Sequence, residues 1–421
     1  MARRRRPREK FPVRVTVINT GTELLLGAVL NTHLTFIAQA IFPLGLRVER
    51  QLSVPDGEAI RTALAENFPR SDLILVTGGL GPTTDDVTRE ISAELLGLDL
   101  NPSAELEAGI SERLRTRGIR MTDRILRQAR VPAGATVLPN DNGTAPGLYL
   151  ASNANPSRPS PHLFLLPGPP RELEPMFPAS VLPILRTIVR RDLDLACQTY
   201  RIVGMGESYV EEAVGADLLA LPGLELGYCA RMGEVDLRVI GPSEVVRQAD
   251  GVVQSKLAAS IFSTSGEKLE EIVVRQLIAR ELTLTTAESC TGGFLAHRLT
   301  NVPGASAIFL AGYVTYANEA KIAALSVPAE TIAEHGAVSE AVARAMAEGA
   351  RAKSGSDFAL STTGIAGPEG GSTTKPVGTA YVALARQERT GVRHFFFPSD
   401  RETFKQLVTQ TALNLLREEL A

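Results

Sequence analysis

The sequence predicts an α/β protein built from two three-layer α/β domains with a small α+β module between them. Apolar, strand-like runs alternate with helical patterns over 13–166 and again over 268–421, which is typical of parallel sheets covered by helices on both faces. The length of 421 residues exceeds what one hydrophobic core organises, so two or three domains are expected.

The strand–helix alternation places the first domain at 11–172, the module at 173–262 and the last domain at 263–421. A helical pattern over 171–189 leads out of the first domain. In the first domain the predicted strands are 13–18, 47–54, 73–77, 136–138 and 162–166. In the last domain they are 282–286, 307–314, 358–362, 378–385 and 391–397.

Composition excludes several classes of protein. Apolar residues make up 44% and charged residues 22% of the chain, as in ordinary soluble proteins, and no run approaches the roughly 18 apolar residues of a membrane span. A formal net charge of −3 argues against a nucleic-acid binder, and three widely spaced cysteines show no disulfide or metal-site pattern. The basic run Ala2–Lys10 is expected to be a disordered tail rather than a signal peptide. We therefore expect a cytoplasmic protein without nucleic-acid or membrane partners.

The most informative segment is a predicted strand-to-helix turn. The strand-like run 282–286 is followed by small polar residues and two glycines, namely Glu288, Ser289, Cys290, Thr291, Gly292 and Gly293. Backbone N–H groups converge at such turns and can stabilise an anion, so nucleophiles and oxyanion holes are often built there. A Ser/Thr N-cap followed by glycines is also an ordinary helix start. The turn alone therefore leaves both interpretations open.

A lysine follows the next predicted strand. Asn318 is placed to cap the helix that carries Lys321 in its first turn. The positive end of a helix opposes the charge of a lysine, and in a closed pocket this would lower the lysine pKa. A neutral lysine can take the proton from a serine hydroxyl. The alternative is a surface lysine that pairs with Glu319.

Two further features bear on this candidate site. Thr363, Gly364 and Gly367 follow a predicted strand and resemble an anion-binding loop, although the Gly-Lys-Ser/Thr of a P-loop is missing. A flexible, hairpin-like loop is the equal alternative for this segment. Cys290 is a rival nucleophile, because a thiol is intrinsically more reactive than a hydroxyl. Adjacent side chains at a turn point in different directions. No histidine is arranged by sequence to activate the thiol, and His297 and His335 stay open as activators. We therefore favour Ser289.

Together, the segments 288–293, 316–321 and 363–368 resemble the C-terminal domain of the CinA (competence/damage-inducible) family, over all of 268–421. This resemblance implies a deamidase that converts nicotinamide mononucleotide to nicotinate mononucleotide and ammonia without a metal. It implies Ser289 as nucleophile, Lys321 as general base and Tyr316 as a nearby orienting hydroxyl. The substrate pocket would comprise Thr291, Gly292, Gly293, Asn318, Thr363, Gly364 and Gly367.

The first domain carries a second candidate site. Thr22 and Glu23 follow the opening strand, and Gly78, Gly79 and Gly81 lie at the turn after a buried-type strand. Glycines at a strand-to-helix turn let the backbone approach a phosphate closely.

Three aspartates accompany these glycines. Asp85 and Asp86 either cap a helix or work with a divalent cation, because carboxylates repel a phosphate unless a cation bridges them. Asp56 either adds a carboxylate from a neighbouring strand end or makes a turn. No lysine lies between Lys10 and Lys256, so a phosphate bound here relies on arginine, backbone N–H groups or a metal.

The segments 21–24, 77–86, 143–147 and 166–172 resemble the N-terminal, molybdopterin-binding-like domain of CinA proteins, so the resemblance covers nearly the whole chain. It implies divalent-metal-dependent hydrolysis of ADP-ribose to AMP and ribose 5-phosphate. Asp56, Asp85 and Asp86 would be the metal and phosphate-site residues. The polar, proline-bearing stretch 152–161 leaves the shape of the pocket rim open.

The middle module of the family resembles a KH-type fold. Here Gly204-Met205-Gly206-Glu207 departs from the Gly-x-x-Gly loop that clamps nucleic-acid backbones. We therefore expect a spacer or a dimer contact within a homo-oligomer. Two other functions stay open: a non-catalytic pterin or nucleotide binder, and a nucleic-acid-binding accessory protein for competence, which the weak net charge disfavours.

Overall fold

The structure, a computed structural model, describes residues 13–116, 118, 120–189 and 194–421. The chain divides into two compact units, Met1–Asp194 and Leu195–Ala421. The predicted basic tail, Ala2–Lys10, lies outside the described residues. Within the described part of the chain, no helix combines the length and the apolar character that crossing a membrane requires.

The first unit is a three-layer α/β domain. Its strands are β1 (Arg14–Thr20), β2 (Arg47–Val54), β3 (Leu73–Thr77), β4 (Leu100–Pro102), β5 (Arg130–Pro132), β6 (Thr136–Leu138), β7 (Gly147–Leu150) and β8 (His162–Leu166). Its α-helices are α1 (Thr22–Leu25), α2 (His33–Ile41), α3 (Glu58–Asn67), α4 (Thr88–Leu96), α5 (Ala104–Thr116), α6 (Asp123–Leu126), α7 (Pro170–Met176) and α8 (Leu182–Ile188). Short 3-10 turns follow α2, α3 and α6, and a π-helical segment, Phe177–Val181, joins α7 to α8.

The main sheet of this unit has the order β2-β1-β3-β8-β7-β6. The first four strands are parallel, whereas β7 and β6 run antiparallel to their neighbours. Because β7 returns to β8 through a loop and not through a helical crossover, the two strands must be antiparallel. The expected purely parallel sheet is therefore wrong at this edge.

Alternate side chains of the parallel strands pack into two separate hydrophobic cores, one on each face of the sheet. On one face Val15 and Leu75 pack with α2, α7 and α8. On the other face Ile18 and Val76 pack with α3 and α4. Because α7 and α8 cover the first of these faces, the first unit extends to Asp194, beyond the predicted boundary at 172. The predicted helix over 171–189 is interrupted, since it contains three prolines that cannot donate backbone hydrogen bonds.

The second unit contains the α+β module and the last α/β domain. The module consists of β9 (Ala196–Val203), α9 (Glu207–Leu219), β10 (Glu225–Arg231), β11 (Glu234–Gly241), α10 (Ser243–Leu257) and β12 (Ile261–Ser263). Its sheet is antiparallel with the order β10-β11-β9-β12. Strand β10 was not predicted from the sequence, because its alternation of polar and apolar residues is weak.

The last domain has a five-stranded sheet of order β14-β13-β15-β16-β17. Its strands are β13 (Leu284–Glu288), β14 (Phe309–Val314), β15 (Phe358–Gly364), β16 (Thr379–Ala385) and β17 (Thr390–Phe396). Its helices are α11 (Leu269–Ala279), α12 (Phe294–Thr300), α13 (Asn318–Leu325), α14 (Ala329–His335), α15 (Glu340–Ser354) and α16 (Arg401–Glu419). Strands β14, β13 and β15 are parallel, so their carboxyl ends meet at one edge, where open α/β sheets bind ligands.

Candidate active sites

A serine and a lysine come together at the carboxyl edge of the last sheet. Ser289 directly follows β13, and Lys321 lies in α13. The Nζ of Lys321 lies 3.2 Å from the Oγ of Ser289 and donates to the backbone carbonyls of Thr315 and Tyr316 at 2.9 and 3.0 Å. The lysine is 1% exposed, whereas Ser289 is only partly buried. The pair therefore joins a sheltered base to a hydroxyl that a ligand can reach.

Burial lowers the pKa of the Lys321 ammonium, because a buried charge is unfavourable. No carboxylate lies within ion-pair distance of its Nζ among the described residues. The alternative of a surface lysine paired with Glu319 is therefore wrong. Asn318 is the first residue of α13, and Ala317 with its extended backbone is the N-cap, so the predicted capping by Asn318 is also wrong.

A buried carboxylate shapes the turn around Ser289. Glu288 is fully buried and accepts hydrogen bonds from the N–H groups of Gly293, Leu295 and Ala296 at 2.8–3.0 Å and from the hydroxyl of Thr291 at 2.7 Å. An anion belongs at the positive end of a helix, and Glu288 supplies it from within the chain. These N–H groups are therefore not free to stabilise a substrate anion, contrary to expectation.

Cys290, the alternative nucleophile, is buried in the hydrophobic core. Cys290 is 6% exposed, and burial raises the pKa of its thiol to about 12. Among the described residues no histidine forms a hydrogen bond with its sulfur: the ring of His297 pairs with Asn301, and the ring of His335 lies near Glu334. A thiol in these surroundings stays protonated and is a poor nucleophile. The geometry therefore supports Ser289.

Several predicted pocket residues are buried or tightly packed and support the backbone near Ser289. Thr291 is fully buried between Glu288 and Thr362, and the buried Thr363 donates its hydroxyl hydrogen to the Ala337 carbonyl at 2.8 Å. At Gly364 a Cβ would contact Phe404 and the backbone of β16 too closely. These residues hold the loops that surround Ser289.

Other predicted residues lie at the surface of the site. Tyr316 is 60% exposed, and only its carbonyl contacts Lys321. Asn318 is exposed, and Gly292 and Gly293 have left-handed backbone conformations, with φ of 61° and 93°. The structure thus gives no contact between the Tyr316 hydroxyl and Ser289.

Two cations next to this site were missed by sequence reasoning. Arg401 donates to the Gly367 carbonyl at 3.0 Å and to the Tyr316 hydroxyl at 2.6 Å. One helical turn further along α16, the Nζ of Lys405 lies 3.7 Å from the Cβ position of Gly292, and it has no carboxylate partner among the described residues. Neither residue belongs to a recognisable sequence motif. Their only sequence signal is their position in the first turns of the last helix.

The first unit contains a cavity of about 550 Å³ at the carboxyl ends of β1, β3 and β8. Predicted residues on its wall are Glu23, Asp56, Gly78, Gly79, Gly81, Asp85 and Asp86. Thr22 is not on the wall; its N–H and hydroxyl donate to Asp56 at 3.0 and 3.3 Å. Glu172 and His33 also line the cavity, and burial lowers the pKa of His33.

The glycines of this cavity allow close turns. Gly79 has a φ of 67°, and a Cβ there would collide with the Thr88 hydroxyl; at Gly81 it would collide with Asp86. Asp86 accepts from the N–H of Thr83 at 2.9 Å, and α4 begins after Val87 without a side-chain cap. The alternative that the aspartates cap a helix is therefore wrong.

The carboxylates on the wall of this cavity have no basic counterpart there. It holds the five carboxylates of Glu23, Asp56, Asp85, Asp86 and Glu172 and no lysine or arginine. No three acidic, histidine or cysteine side chains among the described residues form a ready metal cage. Oxygen donors spread in this way fit Mg²⁺, which usually takes one or two carboxylates together with waters and ligand phosphates.

The stretch 152–161 does not shape this cavity. Asn155 donates to the Leu96 carbonyl at 2.8 Å, and Arg158 donates to the Glu94 carbonyl at 2.9 Å. The stretch therefore caps the carboxyl end of α4, away from the residues that line the cavity.

The fold and the sites define a protein with a Ser–Lys pair in one α/β domain and an acidic, glycine-lined cavity in the other. The model of the CinA C-terminal domain matches residues 266–420, and the model described as a probable molybdopterin binding domain matches residues 16–187. A CinA-like protein from Akkermansia muciniphila is 44% identical over 402 residues, which cover 95% of this chain and 96% of that protein. The chain belongs to the CinA family.

Two further similarities cover nearly the whole chain and about a third of it. A CinA-like protein from Citrifermentans bemidjiense is 42% identical over 416 residues, covering 97% of this chain and 98% of that protein. The crystal structure of a competence damage-inducible protein from Klebsiella pneumoniae is 43% identical, covers 36% of this chain and 94% of that chain, and has a TM-score of 0.36.

Proposed function

We propose that the last domain is an amidohydrolase that converts nicotinamide mononucleotide to nicotinate mononucleotide and ammonia. The observation that carries this proposal is the 3.2 Å contact between Lys321 Nζ and Ser289 Oγ. A lysine that is buried, has a lowered pKa and is held by two carbonyls suits a general base.

In the proposed reaction, neutral Lys321 accepts the proton of the Ser289 hydroxyl while Oγ attacks the carboxamide carbon. The lysine then donates this proton to the departing nitrogen, which leaves as ammonia. Water hydrolyses the resulting ester, with Lys321 again taking and returning a proton. General acid–base catalysis of this kind contributes typically about 10²–10⁴-fold to the rate.

Arg401 and Lys405 suit the phosphate of the nucleotide. They lie one helical turn apart in the sequence of α16. Arg401 donates to the Gly367 carbonyl, and Lys405 approaches Gly292 in the Ser289 turn. Arginine and lysine bind phosphate through charge-assisted hydrogen bonds. A nucleotide held there would present its other end to Ser289.

For the first domain we propose hydrolysis of ADP-ribose to AMP and ribose 5-phosphate. Five wall carboxylates without a cation would repel a diphosphate, so binding calls for divalent cations. Asp56, Asp85 and Asp86 would hold the cation, which when bound neutralises the diphosphate and polarises its P–O bonds. The backbone at Gly78 and Gly79 allows close approach of the ligand.

Two assays test these activities separately. Ammonia release from nicotinamide mononucleotide tests the last domain, and a chain that releases none contradicts the proposal. AMP release from ADP-ribose, with and without a chelator, tests the first domain. A chain that binds ADP-ribose without cleaving it would instead be a non-catalytic nucleotide binder.

A further inference from the structure

A chain of hydrogen bonds at the carboxyl ends of β1 and β3 starts and ends at His33. The backbone N–H of His33 donates to the Oδ1 of Asn31 at 3.2 Å, and the Nδ2 of Asn31 donates to the Oδ1 of Asn19 at 2.9 Å. The Nδ2 of Asn19 donates to the Thr77 hydroxyl at 2.9 Å, and this hydroxyl lies 3.1 Å from Nδ1 of the His33 ring. Asn19 and Thr77 are at most 1% exposed, so solvent does not compete for these bonds.

The direction of each of these bonds follows from the first. A backbone N–H only donates, so the oxygen of the Asn31 amide faces His33 and its nitrogen faces Asn19. The Asn19 oxygen therefore accepts this bond, and a second one from the Nε2 of Gln51 at 2.9 Å, while its nitrogen donates to Thr77. Beyond these contacts the Thr77 hydroxyl has no partner among the described residues. Its single proton is thus donated to Nδ1 of His33.

The His33 ring is therefore neutral, with its proton on Nε2, because Nδ1 accepts a hydrogen bond and an imidazolium ring has only donors. Burial, which lowers the pKa of this histidine, favours the same neutral form. The ring lines the cavity together with Gly78 and Gly168, and it also interacts with the Gly168 backbone. A Cβ on Gly168 would lie 3.5 Å from the Cα of Gly78. The Nε2–H, directed away from Thr77, therefore lies at the glycine turn.

We propose that the Nε2–H of His33 is a hydrogen-bond donor to a phosphate oxygen of the nucleotide bound in this cavity. No lysine or arginine of the described residues lies on the cavity wall, so neutral N–H groups beside the glycine turn have to supply the direct hydrogen bonds to the phosphate. Because Thr77 occupies Nδ1, the ring has no free lone pair with which to act as a general base. The contact rests on the proposed function for its phosphate-bearing ligand, whereas the position of the ring proton does not depend on it.

The position of the ring proton is tested on the full wild-type chain labelled with ¹⁵N-histidine. The chain holds five histidines, and a long-range ¹H–¹⁵N spectrum at pH 7 distinguishes neutral rings protonated at Nε2 from those protonated at Nδ1 and from imidazolium rings. The signals that disappear in His33→Gln identify His33. A neutral ring with its proton on Nε2 is expected, and a proton on Nδ1 or a charged ring overturns the assignment.

Binding of ADP with Mg²⁺ to the full chain, measured by isothermal titration calorimetry, tests the contact. In His33→Gln the side-chain amide N–H reaches the place of Nε2, so the affinity should stay close to that of the wild type. In His33→Asn the shorter amide reaches only the place of Nδ1, and the affinity should fall at least about 10-fold, as expected for a lost hydrogen bond to a charged group. His162→Gln is the matched control, because His162 is also partly buried in this unit but does not line the cavity; its affinity should equal that of the wild type.

Equal affinity in His33→Asn and the wild type overturns the contact, and so does an equal loss in both His33 variants, which would indicate a purely structural ring. A wild-type chain that binds no ADP overturns it as well. If neither variant folds, the wild-type spectrum decides, since His33 is the one histidine on the cavity wall among the described residues. Its Nε2 signal should shift when ADP is added, and five unchanged rings would overturn the contact. ADP binding through His33 without AMP release from ADP-ribose contradicts the proposed hydrolysis and leaves the contact standing.

Discussion

The Nζ of Lys321 lies 3.2 Å from the Oγ of Ser289, and its other two hydrogen bonds go to backbone carbonyls. Carbonyl dipoles orient an amine but stabilise its charged form less than a carboxylate would. Burial therefore lowers the pKa of the lysine while its position opposite the serine is kept. This relationship leads to a prediction about pH.

Deamidation should rise with pH. Only the neutral form of Lys321 accepts a proton, so kcat/KM increases as the pH passes upward through its pKa, and the midpoint should fall below the ordinary lysine value of 10.5. The pH profile of kcat/KM between pH 5 and 10 checks this, because kcat/KM reports the ionisation of groups in the free enzyme. A kcat/KM that does not change between pH 5 and 10 would contradict a lysine as the general base.

The thiols should differ in reactivity. Cys197 and Cys229 are exposed, whereas Cys290 is buried, and burial raises its pKa to about 12. Only the thiolate reacts with alkylating agents, so iodoacetamide at pH 8 should label the first two and spare Cys290 in the native chain. Peptide mass spectrometry reads the labelling site by site. Fast labelling of Cys290 would contradict its burial and would support Cys290 as the nucleophile.

The Ser289 turn and its place after a buried strand could be predicted from the sequence, because alternation, glycines and strand length are local properties. The burial of Lys321 could not, since it depends on how α13 packs against the sheet. The role of Glu288 was hidden for a similar reason: its carboxylate binds N–H groups five to eight residues later, which no residue pattern displays.

The two cations of α16 illustrate the same limit. Arg401 lies 85 residues from Tyr316 in sequence but donates to its hydroxyl, and only the folded sheet brings them together. In the first domain the strands β2, β3 and β8 were predicted with their observed ends, whereas the antiparallel edge depends on the pairing of β7. That pairing follows from the course of the loop 151–161 and not from local preference.

Loss of Arg401 should affect the nucleotide more than the corresponding nucleoside. Arg401→Ala removes a charged donor, and hydrogen bonds to charged groups contribute about 1.5–3 kcal/mol, so KM for nicotinamide mononucleotide should rise at least about 10-fold. Nicotinamide riboside lacks the phosphate, and its kcat/KM should change little. Lys353→Ala is the control, because Lys353 is an exposed lysine near the end of α15. Equal losses for both substrates would exclude a phosphate contact.

Replacing the buried carboxylate of Glu288 should impair the Ser289 turn. In Glu288→Gln one of the two oxygens becomes an amide nitrogen, which cannot accept. The variant therefore loses either the bond from Ala296 to Oε1 or the bonds from Gly293 and Leu295 to Oε2. We expect a stability loss of about 1–3 kcal/mol together with a lower kcat for ammonia release. Urea unfolding and steady-state kinetics measure both. Thr300→Ala is the control and should leave kcat unchanged, because Thr300 is exposed at the far end of α12, the helix whose first N–H groups bind Glu288.

A bulkier residue in the glycine turn of the first domain should lower the activity of that domain and leave the activity of the last domain unchanged. Gly79→Ala places a Cβ against the Thr88 hydroxyl at a left-handed backbone position, where non-glycine residues are strained. We expect AMP release from ADP-ribose to fall at least about 10-fold, in line with 1–3 kcal/mol of strain, while ammonia release from nicotinamide mononucleotide persists. Loss of both activities together would indicate general unfolding.

The measurement that tests the central claim most directly is ammonia release from nicotinamide mononucleotide by the wild-type chain and three variants. Ser289→Ala and Lys321→Ala should each lose at least about 10²-fold in kcat, the lower range for loss of a proton-transfer group, whereas Cys290→Ala should retain activity. Activity that survives in Ser289→Ala but disappears in Cys290→Ala would contradict the Ser–Lys mechanism, and a wild-type chain that releases no ammonia would contradict the deamidase itself.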